Sequence, residues 1–317
     1  MKILIVGVTG LAGTHLYEFL KNKESIDIYA TLRQSSKNEN IRGQFSRAKI
    51  FECDINNFSV LETVFNDIRP DIIFHFAAFV SVHRSFKDPL ATFRANIAGT
   101  ANLLEASKRV IPAAKILIPG SAEEYGKALQ KEMPIREEHP LNPNNPYALS
   151  KKMQEDLALY YHRVDNLNVY LTRTFHYTGT GQPLGFVCSD FARQVVDVEQ
   201  GRIKQIKVGN LDAKRDFSDI RDVVSAYWEI INKGNAGEIY NVCSSRSFSI
   251  RELLDRLVSF AGRDIPIEID TKKLRPSDIP VFVGDNTKLK NLGWAQKYTI
   301  DETLKDVLRW WRKWANG

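Results

Sequence analysis

Three glycines in a short turn constrain the fold of this chain more than any other feature. The apolar stretch KILIV (2–6) leads into GVTGLAG, where Gly7, Gly10 and Gly13 stand three residues apart, and a segment with apolar residues at helical spacing follows. A turn from a strand into a helix needs glycine where the chain bends sharply, where a phosphate approaches the backbone and where helix and strand pack closely. Because the first N–H groups of a helix also bind phosphate, the pattern predicts a dinucleotide-binding turn. The residues expected to contact the dinucleotide there are Gly7, Thr9, Gly10, Leu11, Ala12 and Gly13.

Strand and helix patterns alternate from this turn to about residue 175. Short, almost wholly apolar stretches read as strands, and longer stretches between them carry apolar residues at helical spacing. The predicted strands are 2–6, 26–32, 48–53, 71–78, 114–120 and 168–175, and the predicted helices are 11–23, 60–68, 90–110 and 146–164. Apolar strands that alternate with helices are typical of a parallel sheet covered on both faces. The sequence therefore predicts an α/β fold with a Rossmann-type doubly wound parallel sheet.

The alternation loosens after residue 175, where HYTGTGQPLG (176–185) is rich in turn residues. Beyond it the sequence predicts a strand over 237–244 and helices over 186–201, 249–262 and 301–314. We therefore expect a dinucleotide-binding domain followed by a smaller, interwoven C-terminal lobe that binds the substrate. The domain is expected over 1–175, with 216–246 returning to it, and the lobe over 176–215 and 247–317.

Composition narrows the class of protein. The 317 residues are 43% hydrophobic and 26% charged, which is ordinary for a globular protein. The net charge is +6, and the Lys and Arg residues are scattered along the sequence without a dense basic run. A pocket for a phosphorylated small molecule explains this surplus as well as a nucleic-acid-binding surface does. The three cysteines lack metal-binding spacing, and no apolar run is long enough to span a bilayer. We expect a cytoplasmic protein that binds no metal, membrane or nucleic acid.

The end of the second strand bears on the choice of dinucleotide. An NAD site usually carries an acidic residue there for the ribose 2′-hydroxyl, whereas this chain has Thr31 and Arg33. A hydroxyl and a guanidinium suit a 2′-phosphate, so NADP(H) is favoured and NAD(H) is the alternative; Arg33 could instead be a solvated loop residue. Asp54 and Ile55 follow the third strand and are expected beside the adenine, although Asp54 or Asn57 could instead cap the next helix.

A hydroxyl, a phenol and an ammonium are predicted to meet at one site. Tyr147 and Lys151 stand four residues apart after Pro146, so they share one face of a helix. Ser121 follows the strand 114–120, and ligands of open parallel sheets lie beyond the carboxyl ends of the strands. We expect Lys151 to lower the pKa of Tyr147, Ser121 to hydrogen-bond a substrate oxygen, and Tyr147 to exchange a proton with that oxygen during hydride transfer.

These motifs together resemble the extended short-chain dehydrogenase/reductase family of NDP-sugar epimerases, dehydratases and reductases. The resemblance spans GVTGLAG, HFAA (75–78), GSAEEYG (120–126), YALSK (147–151), RDFSDIRD (215–222) and LRPSD (274–278). It implies that the tyrosine is the proton donor or acceptor, that the lysine holds the nicotinamide ribose and that the serine orients the substrate. It also implies cofactor contacts at Ala77 and Ala78 and pyrophosphate contacts at Arg215 and Arg275. From the residues alone, Arg215 could instead pair with a nearby aspartate.

Within this family the chain is most similar to the GDP-4-keto-6-deoxy-D-mannose reductases. That similarity implies reduction of the 4-keto group to give GDP-D-rhamnose, and the predicted substrate contacts are Ser121, Ala122, Glu123, His176, Val187, Arg215 and Arg275. His176 replaces an asparagine that the family usually has there. Glu123 stands where GDP-mannose 4,6-dehydratases place an acid/base glutamate, so a dehydratase is one alternative. A 4-epimerase and a dinucleotide-sensing protein without activity are the others. The family also implies a homodimer that pairs helices 90–110 and 146–164.

Overall fold

The computed structural model describes residues 1–33, 43–271 and 279–315. Its centre is a parallel sheet in which the first strand lies in the interior, with strands on both sides of it. The seven strands are β1 (Lys2–Val6), β2 (Asp27–Leu32), β3 (Ala48–Glu52), β4 (Ile72–His75), β5 (Lys115–Ser121), β6 (Asn168–Thr174) and β10 (Ile239–Val242). They lie in the order β10-β6-β5-β4-β1-β2-β3, and every neighbouring pair is parallel. The order reverses direction at β1 and β4, which is where such sheets bind ligands.

Helices cover both faces of this sheet. The described helices are α1 (Leu11–Leu20), α2 (Phe58–Ile68), α3 (Val82–Lys87), α4 (Pro89–Phe93), α5 (Gly99–Val110), α6 (Pro146–Asp165), α7 (Val187–Glu199), α8 (Ile220–Lys233), α9 (Ile250–Ala261), α10 (Thr287–Lys290) and α11 (Ile300–Trp314). One core contains buried residues of α1 and α8, and a second core contains those of α2, α5 and α6. Because each strand contributes alternate side chains to the two cores, the predicted doubly wound fold is confirmed.

The helix predicted over 90–110 is divided in the structure. A π-helical turn, Arg94–Ala98, joins α4 to α5. Within it, the Asn96 side chain accepts a hydrogen bond from Phe79 N at 2.7 Å and donates to Phe79 O at 3.0 Å. A π turn takes an extra residue into the helix, and here the Asn96 amide fixes the loop that follows β4. Apolar spacing cannot reveal such a turn, because the helix continues on both sides.

The C-terminal lobe is built from short strands and three helices. Its strands are β7 (His176–Thr178), β8 (Ile206–Val208), β9 (Lys214–Asp219), β11 (Ser247–Ser249), β12 (Ile267–Ile269) and β13 (Val281–Phe282). β9 pairs with β7, β11 and β13, while β8 pairs with β12. Buried residues of α7, α9 and α11 form the core of the lobe. These strands are too short to show an alternating pattern, so the sequence did not predict them.

The chain crosses between the two parts more than once. It leaves the large sheet after β6, forms β9 in the small sheet, and returns through α8 and β10 before it leaves again for β11. No helix in residues 1–33, 43–271 and 279–315 has the length and apolar character needed to cross a bilayer.

Candidate active site

The glycine turn lies at the carboxyl end of β1 and has no room for side chains at two of its glycines. Gly7 adopts φ +91°, and a Cβ there would lie 2.7 Å from Ala77 N. A Cβ on Gly13 would lie 2.5 Å from Gly7 O, whereas one on Gly10 would meet Gly7 O at an ordinary 3.5 Å. The turn thus brings bare backbone and the amino end of α1 to one place, which fits a dinucleotide pyrophosphate.

The other residues predicted at this turn lie around the same edge of the sheet. Thr9 and Gly10 are exposed, and Leu11 and Ala12 are half-buried against the core beneath α1. Ala77 and Ala78 are half-buried just beyond β4, beside Gly7. The structure therefore brings the two predicted groups of cofactor contacts together, although they are far apart in the sequence.

Thr31 and Arg33 differ in what they can offer a 2′-phosphate. Thr31 is buried, and its hydroxyl accepts a hydrogen bond from Gly7 N at 3.2 Å. This hydroxyl therefore supports the glycine turn, contrary to the expectation that it faces a phosphate. Arg33 is exposed at the end of β2. Of the two predicted residues, Arg33 is the one free to reach a solvent-side phosphate group.

Asp54 and Ile55 follow β3 as predicted. Asp54 Oδ1 accepts from Asn56 N at 2.9 Å, which closes a short side-chain turn, and Asn57 caps α2 by accepting from Val60 N. The cap therefore falls on Asn57 and not on Asp54. Ile55 is buried, and its side chain fills the space where a Cβ on Gly99 would lie.

Ser121 and Tyr147 meet at the carboxyl end of β5. Asn145 caps α6 by accepting from Ala148 N at 2.8 Å, and Pro146 starts the helix, so Tyr147 lies in its first turn. The Ser121 hydroxyl lies beside the Tyr147 phenol. Burial raises the pKa of Tyr147 above its usual value, and the nearby Ser121 hydroxyl opposes that shift. A phenol held neutral in this way is a proton donor at neutral pH.

Lys151 lies on the same helix but is directed into the protein. Its Nζ donates to Pro119 O and to Gln154 Oε1, both at 2.7 Å. Burial lowers the pKa of Lys151, and the charge of Glu124 opposes that shift. The groups that act on the pKa of Tyr147 are Ser121, Tyr177, Glu123 and Glu124. The predicted lowering of the tyrosine pKa by Lys151 is thus not what the structure shows, because the ammonium is held by two neutral oxygen acceptors behind the phenol.

Three side chains that the sequence analysis did not single out fix the first turn of α6. Ser85, which is fully buried on α3, accepts from Tyr147 N at 3.2 Å. Ser150 Oγ donates to Tyr147 O at 2.7 Å and accepts from Asn96 Nδ2 at 2.8 Å. The Asn-Pro sequence before Tyr147 signals a helix start, but no local pattern indicates that Ser85 and Asn96 would reach this helix.

The predicted substrate residues are distributed around this pair. Glu123 Oε2 accepts from Asn145 Nδ2 at 3.2 Å, beside Tyr147. Ala122 is buried in a small apolar cluster with Tyr125 and Phe175. Val187 begins α7. Arg275 lies outside the described residues.

His176 and Arg215 lie on paired strands of the small sheet. His176 is opposite Phe217 in the β7–β9 pair, with the two ring centroids 5.5 Å apart. Arg215 Nη1 donates to Ile279 O at 2.6 Å, which places the guanidinium beside residue 279. The neighbouring Asp216 accepts from Ser244 N and Ser245 N instead. Two of the predicted substrate contacts, His176 and Arg215, are therefore on one sheet.

Comparison with known proteins identifies the family. The family model described as GDP-mannose 4,6 dehydratase matches residues 4–307. The GDP-6-deoxy-D-mannose reductase of Pseudomonas aeruginosa is 35% identical over 244 residues, which is 76% of this chain and 80% of that protein. Human GDP-mannose 4,6 dehydratase is 26% identical over 339 residues, covering 96% of this chain and 90% of the human protein.

Solved structures agree with this relationship. The RMD protein of Pseudomonas aeruginosa, complexed with NADPH, superposes with a TM-score of 0.86 at 30% identity over 98% of this chain and 99% of that one. UDP-glucose 4-epimerase from Thermotoga maritima gives a TM-score of 0.88 at 26% identity over 99% of this chain and 100% of that one. The glycine turn, the Ser121–Tyr147 pair and these similarities lead to one conclusion: the chain belongs to the GDP-mannose 4,6-dehydratase family, as an NAD(P)-dependent oxidoreductase of the extended short-chain dehydrogenase/reductase type.

Proposed function

We propose that this protein reduces the 4-keto group of GDP-4-keto-6-deoxy-D-mannose to give GDP-D-rhamnose. The observation that carries the proposal is the Ser121–Tyr147 pair, at the same edge of the parallel sheet as the glycine turn. It provides a neutral phenol where a carbonyl oxygen needs a proton. The choice of a reductase is supported by the 35% identity to the Pseudomonas enzyme, compared with 26% to the human dehydratase.

The chemistry assigns a role to each side chain. When bound, NADPH supplies the hydride that reduces C4 of the keto sugar. Ser121 orients the C4 oxygen, and Tyr147 donates its phenolic proton to that oxygen as it becomes an alkoxide. Lys151, one helical turn after Tyr147, would hold the ribose of the nicotinamide, which is the role that the family resemblance implies. The residues proposed for the sugar nucleotide are Glu123, His176, Val187, Arg215 and Arg275, in the lobe made of 176–215 and 247–317 and on the loop after β5.

NADPH is the proposed cofactor because Arg33 is the exposed cation at the end of β2. A guanidinium can bind a 2′-phosphate through two hydrogen bonds. Arg33→Ala should raise the KM for NADPH about tenfold, since a charged hydrogen bond contributes on the order of 1.5 kcal/mol. The KM for NADH should stay the same. Equal changes for both cofactors would contradict this role of Arg33.

Glu123 supports a second candidate function, a GDP-mannose 4,6-dehydratase. Its carboxylate is held by Asn145 and is close enough to Tyr147 to affect the tyrosine pKa. A carboxylate beside the tyrosine could remove a proton from the sugar. The two reactions differ in stoichiometry, because a reductase consumes NADPH whereas a dehydratase regenerates its cofactor in each turnover.

The decisive experiment measures the near-ultraviolet absorbance of NADPH with freshly generated GDP-4-keto-6-deoxy-D-mannose. A decrease that depends on the sugar, with GDP-D-rhamnose as product, supports the reductase. GDP-mannose alone is the parallel substrate, and its conversion to the keto sugar without net NADPH use would establish the dehydratase. Glu123→Gln separates the two reactions, because it should stop dehydration while leaving much of the reduction.

We also propose that the protein is a homodimer formed through α6. Four exposed apolar residues lie along one side of this helix, at the spacing of a helical stripe: Leu149, Met153, Tyr160 and Val164. They are between 40% and 58% exposed, which is unusual for a contiguous apolar strip. Light scattering after size exclusion should give twice the chain mass. Met153→Glu should yield monomer, and an unchanged mass for this variant would rule out α6 as the interface.

A further inference from the structure

A buried carboxyl group close to Lys151 is not used by the proposed reaction. Glu124 is fully buried, and its Oε1 accepts from Ser121 N at 2.6 Å. A Cβ on Gly120 would lie 2.5 Å from this oxygen, so the glycine leaves the space that the carboxyl occupies. Within the described part of the chain, Glu124 Oε2 is buried without a hydrogen-bond partner. An unpartnered buried carboxyl is costly unless a nearby charge compensates it or it carries a proton.

Two cations lie near Glu124, Arg173 and Lys151, and Arg173 already has a carboxylate partner. Glu155 and Arg173 form a buried bidentate pair, with N–O distances of 2.9 and 2.7 Å. That pair is electrically neutral. Lys151, whose hydrogen-bond acceptors are the neutral oxygens of Pro119 and Gln154, is then the buried cation without a bonded carboxylate. Among the described residues that act on Glu124, Lys151 is therefore the cation without a carboxylate partner.

We propose that Glu124 is a positioning residue that compensates the charge of Lys151 and so sets the pH range in which Lys151 is an ammonium. The groups that face Glu124 are Lys151, Glu155 and Arg173, and those that face Lys151 are Glu124 and His75. Burial raises the pKa of Glu124 and lowers that of Lys151, and each charge counteracts the shift of the other. His75 is neutral at physiological pH, because burial lowers its pKa to about 3. Where the Glu124 carboxyl is ionised, its charge therefore favours the ammonium form of Lys151.

The effect of Glu124 on turnover depends on the proposed reductase function, but its effect on the charge of Lys151 does not. The test therefore measures the protonation of Lys151 directly. We would follow the lysine Cε signals by NMR as a function of pH and assign Lys151 by the signal lost in Lys151→Arg. Glu124→Gln keeps an acceptor for Ser121 N but removes the negative charge. Its Lys151 midpoint should fall by on the order of one pH unit relative to the wild type, because an opposite charge at this range shifts a pKa by about that much.

Glu137→Gln is the matched control. Glu137 is a half-buried carboxyl that also accepts a backbone N–H, from Asn241 at 2.8 Å, but it is not among the charges that act on Lys151. The pH midpoint of the Lys151 titration in Glu137→Gln should equal that of the wild type. If Glu124→Gln does not fold, Glu124→Asp retains the charge at a different distance and should give a smaller shift in the same direction. A Lys151 midpoint that is unchanged in a folded Glu124 variant overturns the proposal.

A second readout connects the pair to turnover. In Glu124→Gln the alkaline decline of kcat/KM for NADPH should move to lower pH by the same amount as the Lys151 midpoint. A shifted NMR midpoint in a protein that never oxidises NADPH would contradict the reductase assignment and leave the role of Glu124 standing. Full reductase activity with an unshifted Lys151 midpoint would support the reductase assignment and overturn the role of Glu124.

Discussion

The two halves of the cleft are held together by different kinds of contact. On the cofactor side, backbone touches backbone: Gly7 lies against Ala77, and Gly13 lies against Gly7. On the catalytic side, buried polar side chains fix each other, as when Ser85 accepts from Tyr147 N and Lys151 donates to Gln154. Backbone contact of this kind tolerates only glycine, whereas a polar network can be built from many residue types. The first half therefore has a recognisable sequence and the second half does not.

The largest expected effect is on catalysis, and it should leave cofactor binding unchanged. Tyr147→Phe removes the phenolic proton but keeps the ring, so kcat should fall by about 10²- to 10⁴-fold, the usual contribution of general acid catalysis. NADPH should still bind with unchanged affinity, as measured by fluorescence titration, because the glycine turn is intact. A variant that turns over at the wild-type rate would remove Tyr147 from the proton transfer.

A substitution in the cofactor half should instead reduce stability and cofactor binding. Gly13→Val places a side chain against Gly7 O and Val8 Cα, which are backbone atoms and cannot turn aside. We expect a loss of about 3 kcal/mol in the free energy of unfolding, the upper end for overpacking, together with loss of NADPH binding. Chemical denaturation monitored by circular dichroism measures the first effect.

Gly43→Ala is the control for Gly13→Val. Among the described residues, no atom outside the immediate chain neighbours lies within 4 Å of a Cβ at position 43, so stability and NADPH affinity should both stay at wild-type values. If Gly13→Val were as stable as this control, close backbone packing would not be what defines the cofactor half.

His75 lies between the two halves and should make stability depend on pH. Thr100 Oγ1 donates to Asn96 O, so it accepts from His75 Nε2, and burial lowers the pKa of His75 from 6.5 to about 3. Between these two values the unfolded chain binds a proton that the folded protein excludes. The free energy of unfolding should therefore fall as the pH drops below 6.5, by about 2 kcal/mol at pH 5 from this group alone.

His75→Gln tests this assignment, because a glutamine amide can still donate to Thr100 but does not titrate. Urea denaturation of both proteins at pH 7 and at pH 5 should show that the variant loses about 2 kcal/mol less than the wild type over this interval. Equal losses would mean that other groups control the acid sensitivity.

The smallest expected effect concerns the support of Tyr147. Ser85→Ala leaves the buried Tyr147 N–H without its acceptor, which should cost about 1 kcal/mol of stability. kcat should decline more than NADPH affinity, because α6 carries the phenol. Ser107→Ala is the matched control: this serine is equally buried and donates to Leu103 O, but it lies far along α5 from the site. A Ser85 variant with the kinetics of the Ser107 variant would show that this hydrogen bond does not position Tyr147.

The sequence predicted correctly those features of the structure that only one type of residue can provide. The strand–glycine–helix pattern predicted the Rossmann-type fold and the NAD(P) cofactor, and both are confirmed. The roles of Ser121, Tyr147 and Lys151 stay predictions, although the structure brings the first two into contact. Thr31 shows why such predictions are incomplete. Its position in the chain suggested a phosphate contact, but a hydrogen bond to Gly7, formed across the sheet, engages its hydroxyl.

The same reason explains what was missed in the catalytic half. Ser85 and Asn96 are ordinary residues in the sequence, and they gain their partners only when separate elements pack. The division of the helix at Arg94–Ala98 is of the same kind, since the apolar spacing continues through it. Residues that act through long-range polar contacts leave no periodic signal in a single sequence.

The return of the chain to its first sheet has a consequence for biosynthesis. β10 covers the outer edge of β6, yet it is translated only after α7, β8, β9 and α8. Until then a nascent chain that has formed β6 exposes the unpaired N–H and C=O groups of that edge, which are a template for intermolecular pairing. A gene fragment that stops at residue 175 would encode the cofactor turn and the catalytic tyrosine but would leave this edge permanently open. We expect such a fragment to accumulate as aggregate in a cell, whereas one that continues past β10 closes its own sheet.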